Sequence, residues 1–116
     1  MKIPFVKFQG TGNDFVIVDN RTDIFPTDVL TIQKLTDRKF GIGADGLMLI
    51  ENHPTHDFRM KYYNADGSES LCGNGSRCAI KYAQKLGIID TFTTFETTDG
   101  VHTARIKGDT VHFELH

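Results

Sequence analysis

The residues best suited to chemistry form one uninterrupted run, Asn64-Ala65-Asp66-Gly67-Ser68-Glu69-Ser70-Leu71-Cys72-Gly73-Asn74-Gly75-Ser76-Arg77-Cys78-Ala79. Residues 64–69 read as a polar turn, tightest at Asp66-Gly67. Cys72-Gly73-Asn74-Gly75 reads as a short loop with two glycines. From Ser76 the pattern becomes helical, with Cys78, Ala79, Tyr82, Ala83 and Leu86 recurring at spacings of three and four, and Gly87 stands where a left-handed cap belongs. This spacing puts Cys72 at, or just before, a helix N-terminus. The unpaired N–H groups and partial positive charge there favour a thiolate. They would lower a cysteine pKa from about 8.5 into roughly the 3.5–7.5 range. The glycines allow close backbone approach, and the same N–H groups can hold a carboxylate. The stretch therefore offers a base or nucleophile beside an anion clamp. A blander interpretation stands next to it, a small buried cysteine near a glycine-rich helix start.

Several short elements must position this run. Residues 3–8 read as a strand with Pro4 at its beginning or edge, and residues 15–19 as a second, largely buried strand that forms a hairpin with the first. Gly10-Thr11-Gly12-Asn13-Asp14 connects them. It is either a plain tight turn or a rim from which the Asn13 amide reaches a ligand. It lacks the lysine and following helix of a phosphate loop. Thr27 is the expected N-cap of a first helix, whose apolar face, Val29, Leu30, Ile32 and Leu35, runs to about Arg38. Gly41-Ile42-Gly43-Ala44-Asp45-Gly46 is a second glycine-rich turn, with Asp45 expected to brace the loop through its backbone N–H groups. Residues 47–51 and 57–63 read as strands, the latter delivering Asn64 to the central turn. Residues 92–98 and 101–107 form a hairpin at Asp99-Gly100. A turn at Gly108-Asp109 leads to a last strand with Val111, Phe113 and Leu115 on one face. The second helix is apolar around most of its surface, which implies enclosure. The expected fold is α+β, a curved, barrel-like β-sheet wrapped around that central helix.

Length and charge narrow the function classes. The chain has 116 residues, 39% hydrophobic and 24% charged, with a net charge of −2 and pI near 6.2. One domain fits this length. No basic excess points to nucleic acid or an anionic membrane. No run has the length of a membrane span or the core of a signal peptide. Cys72 and Cys78 do not resemble a secreted disulfide framework, so reduced thiols in a cytoplasmic compartment are expected. His53 and His56 could form a metal pair, but no other ligands join them at zinc-site spacing; solvated histidines at the Pro54 turn explain them.

The Asn64-Ala65-Asp66-Gly67-Ser68-Glu69 stretch, followed by Cys72-Gly73-Asn74-Gly75 and Arg77-Cys78, resembles the signature of the diaminopimelate epimerase family. Residues 10–16 resemble its N-terminal segment, and residues 41–46 its second glycine loop. The resemblance runs along essentially the whole chain. It implies two similar domains facing each other, of which residues 1–116 would be the N-terminal one, the second being absent from this chain. It also implies LL-to-meso epimerisation at the α-carbon of diaminopimelate, toward lysine and peptidoglycan, without pyridoxal phosphate or metal. Two cysteines on opposite faces would act as base and acid. By resemblance Cys72 is one of them, Gly73 and Asn74 bind the substrate carboxylate region, and Asn13 and Asn64 contact substrate. Some relatives carry a glutamine contact where this chain has Gly46, so that contact is not carried over. Asp66 and Arg77 match motif positions and are expected to brace the turn and the helix start. Cys78 lies along the same helix facing the domain's own core and cannot be the second acid/base residue.

A fragment with one cysteine is expected to be nearly inactive alone. An unpaired strand edge would let it self-associate, for instance as a homodimer. Two further functions fit the residues. One is a related isomerase of this fold acting on proline-like or aromatic substrates. The other is a non-catalytic domain that binds amino acids or a partner.

Overall fold

The computed structural model describes residues 5–10, 13–23, 25–39, 41–70 and 73–114, with the backbone alone at 9, 10, 13, 70 and 73–75. β1 (Phe5–Gly10) and β2 (Asn13–Asp19) form the expected antiparallel hairpin, Phe8 opposite Phe15 and Gly10 opposite Asn13. β2 is apolar from Phe15 to Val18 because both of its faces are covered. α1 (Val29–Thr36) crosses over to β3 (Gly46–Glu51), which lies parallel to β2. Ile32 of α1 packs with Val16, Val18, Leu47 and Leu49 on one face of the sheet. Phe15, Ile17, Met48 and Ile50 point to the other face, where the second helix lies.

β4 (Phe58–Asn64) runs antiparallel to β3. A two-residue strand, β5 (Glu69–Ser70), folds back on the end of β4, so residues 64–69 are the tip of a hairpin rather than only a turn. α2 (Gly73–Lys85) then carries the chain to β6 (Phe92–Thr97), parallel to β4. β7 (Gly100–Lys107) and β8 (Thr110–Glu114) follow as antiparallel neighbours. The strand order is β1-β2-β3-β4-β6-β7-β8, with β5 beside β4. The result is α+β, a curved mixed sheet around α2, as expected. Cys78, Ala79, Ile80, Tyr82 and Ala83 of α2 are buried in the larger core. The polar positions Arg77, Lys81, Gln84 and Lys85 leave one stripe of the helix less buried, so the helix is held in the concave sheet rather than sealed in it.

Local chemistry sets the helix ends. α2 starts at Gly73 rather than Ser76, because the apolar repeat begins only where the helix reaches the core, one turn after its true start. Its C-terminus is the expected glycine cap: Gly87 has φ +80°, Gly87 N–H donates to the Gln84 carbonyl at 3.0 Å, and Ile88 N–H donates to that of Ala83 at 3.0 Å. α1 is capped by Asp28, not Thr27. The Asp28 carboxylate accepts from Thr31 N–H at 3.0 Å and from the Thr31 hydroxyl at 2.7 Å, a reach that requires the residue three before Thr31. α1 also ends at Thr36, short of Arg38. The glycine-rich segment folds back, with Ile42 N–H on the Leu35 carbonyl at 2.9 Å and Ala44 N–H on that of Thr36 at 3.1 Å.

Two other expectations change. His53 is not a solvated residue: its side chain is 8% exposed, and Nε2 lies 3.4 Å from Glu96 Oε2. Its Nδ1 accepts from the backbone N–H groups of Thr55 at 3.1 Å and His56 at 3.0 Å, which uses the lone pair a metal would need. Among the described residues no group of three His, Cys, Asp or Glu side chains could hold a metal. Arg77 does not brace the helix start. It donates to the Val111 carbonyl at 3.0 Å and lies over the Phe113 ring, tying α2 to β8, because its long side chain reaches away from the first turn. No described helix is long and apolar enough to cross a membrane.

Candidate active site

Strand register gathers the candidate residues at one end of the sheet. Gly46, which opens β3, pairs with Phe15 of β2 on one side and with Asn64, the last residue of β4, on the other. Asn13 opens β2, two residues before Phe15. α2 starts at the same end. β4 and β6 are parallel, and Phe58 at the start of β4 pairs with Phe95 in β6, so the helix between them must run back from the Asn64 end. Its far part agrees: burial above all, then the Asp19 charge at the other end of β2, raises the Tyr82 hydroxyl above its usual range. The N-terminus of α2, Asn64, Gly46 and Asn13 therefore share one end of the domain.

Two braces fix that end. The first ties β2 to the glycine-rich segment before β3. Asp14 N–H donates to Asp45 Oδ2 at 3.0 Å, and Asp45 N–H donates back to Asp14 Oδ1 at 3.0 Å. Arg38 donates to both Asp14 oxygens, at 3.1 and 2.8 Å, and to Asp45 Oδ1 at 3.0 Å. Lys7 Nζ lies 3.3 Å from Asp14 Oδ2. Asp45 thus braces the neighbouring strand through its side chain and its N–H, rather than its own loop. Arg38 above all, then the Asp45 N–H and Lys7, hold the Asp14 carboxyl well below the usual carboxylate range, against the opposing effect of burial. The second brace holds the hairpin tip. Gln33 Nε2 donates to the Asp66 carbonyl at 3.3 Å and the Thr36 hydroxyl to the Ala65 carbonyl at 3.4 Å, both from α1. Within the tip, Asp66 Oδ1 accepts from Ser68 N–H at 2.8 Å and the Ser68 hydroxyl at 2.6 Å, the expected turn bracing. Asn64 Nδ2 donates to Ser68 Oγ at 3.0 Å, which orients that amide.

The first brace makes stability depend on acid. A carboxyl with a depressed folded pKa stabilises the fold above its unfolded value, about 3.9, and loses that contribution as pH falls toward the folded value. Asp14→Asn should cost about 1–2 kcal/mol at pH 7, the low end for hydrogen bonds to a charged group, because Arg38 is 58% exposed. Urea denaturation at pH 7 and pH 2.5 should show the gap between the two proteins narrowing in acid.

The diaminopimelate epimerase family profile matches residues 5–115. The chain belongs to this family. It is 57% identical over 103 residues to the diaminopimelate epimerase of Flavobacterium psychrophilum, covering 87% of this chain and 40% of that protein. It is 44% identical over 112 residues to the diaminopimelate epimerase of Leptospira biflexa, covering 95% of this chain and 40% of the relative. The chain thus spans about 40% of the length of these curated relatives. Among solved structures, a probable proline racemase from Agrobacterium radiobacter superposes with a TM-score of 0.71 at 16% identity, covering 97% of this chain and 41% of that one. A phenazine biosynthesis protein of the PhzF family from Bacillus anthracis gives 0.65 at 23% identity, covering 92% and 37%. At these identities the likeness establishes a shared fold.

Within the diaminopimelate epimerase signature, the structure locates Asn64 with its side chain and places Gly73 and Asn74 in the first turn of α2 by backbone. Asn13 is placed by backbone at the start of β2, and Cys72 lies outside the described residues. Cys78 is buried in the core with Ala79 and Ala83, as expected. Sequence reasoning expects bracing from Asp45 and Asp66 but misses Asp14 and Arg38 in the first brace and the hold of Gln33 and Thr36 on the tip. Asp14 beside Asn13, and a lone Arg38 between α1 and a glycine-rich turn, were the available signals.

Proposed function

We propose that this chain is one half of a two-domain epimerase that interconverts LL- and meso-diaminopimelate. The observation that carries the reading is the start of α2 at Gly73, directly after Cys72, at the end of the sheet that holds Asn13 and Asn64. Membership of the family and the 40% coverage of its relatives support a second domain that completes the site. In this reading residues 1–116 are the N-terminal domain. Inversion removes the α-proton from one face and returns a proton to the other. A thiolate sulfur takes the proton, the electron pair stays on the α-carbon and spreads into the carboxylate, and a thiol on the opposite face donates. Cys72 supplies one sulfur and the second domain the other. Gly73 and Asn74 N–H groups receive the carboxylate, where negative charge grows. Asn13 and Asn64 orient the substrate. No pyridoxal phosphate or metal takes part, and the setting is cytoplasmic. Association of two copies through the β1 or β8 edge belongs to the same reading.

The test is exchange of the diaminopimelate α-hydrogen in D2O, followed by NMR. The chain joined to or mixed with its second domain should exchange and invert; the 116-residue chain alone should do neither. Robust inversion by the chain alone would contradict the two-domain mechanism. Turnover of proline in place of diaminopimelate would favour a related racemase. Binding without exchange by the two-domain protein would favour a non-catalytic domain.

A further inference from the structure

Lys7, Arg38 and Asp45 meet at Asp14, the residue after Asn13, in an arrangement richer than joining two strands requires. Asp14 and Asp45 each accept the other's backbone N–H at 3.0 Å. Two asparagines could make the same pair of bonds through their amide oxygens, without setting like charges side by side. The charges gain a use only with Arg38. Its Nη2 donates to an oxygen of each carboxylate, Asp14 Oδ1 at 2.8 Å and Asp45 Oδ1 at 3.0 Å, while Nη1 donates to Asp14 Oδ2 at 3.1 Å. A planar fork gripping two carboxylates fixes orientation as well as distance, which a point charge such as Lys7 does not. The gain in stability is modest, because Arg38 is largely exposed.

Backbone connectivity carries that orientation into the site. The Asp14 N–H belongs to the planar peptide unit that Asn13 opens, so its bond to Asp45 sets the rotation about the Asn13 Cα–C bond. On the other side, Gly46 follows Asp45 and pairs with Asn64. The cluster therefore lies between Asn13 and Asn64.

We infer that Arg38 is a positioning residue for substrate binding: by holding Asp45 against Asp14 it fixes Asn13 relative to Asn64 for contact with the bound amino acid. This rests on the reading of the site given above, in which both asparagines orient the substrate.

The experiment uses the two-domain protein with diaminopimelate as substrate, and compares Arg38→Met, Asn13→Ala and the double variant. Each single change should raise KM about tenfold or more, as for a lost hydrogen bond to a charged group, with kcat changed far less. Once residue 13 is alanine, Arg38→Met should add little to KM, because its effect travels through Asn13. The thermal midpoint of Arg38→Met should fall by only a few degrees. Arg38→Lys, which keeps the charge without the fork, gives the same comparison in a milder variant. Losses in KM that multiply in the double variant, or a lowered midpoint with normal KM, would overturn the inference while leaving the epimerase reading intact. An unchanged KM in Asn13→Ala would overturn it together with the role of Asn13. A parent protein that does not turn over diaminopimelate would overturn the epimerase reading as well.

Discussion

Cys72→Ser in the two-domain protein should lower diaminopimelate epimerisation by about a thousandfold, within the range for loss of a general acid or base. Serine has nearly the shape of cysteine, so the fold and substrate affinity should survive. Its hydroxyl is far less acidic, and the partial charge at a helix start cannot bring it to an alkoxide near pH 7. The α-proton of an amino acid is already a poor acid, so the proposed mechanism requires a matched sulfur on each face. The loss should be nearly equal in both directions, because each direction uses Cys72 once. Steady-state rates from LL- and from meso-diaminopimelate check this. Cys78→Ser should have a much smaller effect on catalysis, since Cys78 is 7% exposed and packed in the core.

Gly41→Ala should destabilise the chain by at least about 3 kcal/mol, the upper end for overpacking. Its Cβ would overlap the Lys34 carbonyl oxygen, far inside van der Waals contact, and lie 2.7 Å from that of Leu35. These are backbone atoms of the last turn of α1, and no rotamer change can move them. Relief would require residues 41–44 to lift off, which breaks the Ile42 and Ala44 hydrogen bonds to α1. Asp45 would then shift from Asp14. Gly87→Ala is the internal comparison. A Cβ there meets nothing within 4 Å, and only the left-handed φ of +80° resists it. That change should cost about 1–2 kcal/mol. Denaturant midpoints of the two variants separate steric overlap from backbone strain. Equal midpoints would contradict the close seating of residues 41–44 on α1.

What the sequence disclosed follows what is local. Alternation in β4 and β8, the Gly87 cap, the Asp66-Gly67 tip and the core-facing side of α2 are each written within a few residues. The β1–β2 hairpin was also legible, because a short turn leaves adjacent strands little choice. Pairings between distant segments were not. Arg38 meets Asp14 across 24 residues and Asp45 meets Asp14 across 31, so nothing in either neighbourhood announces the partner. The close approach of the Tyr62 phenol to Gly46 depends on strand register, which alternation alone does not specify. The start of α2 is hidden in the sequence for a related reason. Its first turn, Gly73-Asn74-Gly75, lacks apolar residues and so carries no periodic signal.

Alkylation of the two cysteines as a function of pH, with the modified sites identified by mass spectrometry, tests most directly whether the start of α2 activates Cys72. Cys72 should react rapidly, with a half-maximal pH well below the ordinary thiol value of about 8.5, while Cys78 stays protected. A Cys72 whose reactivity rises only as an ordinary thiol ionises would contradict activation by this helix terminus and assign it to the second domain or to bound substrate.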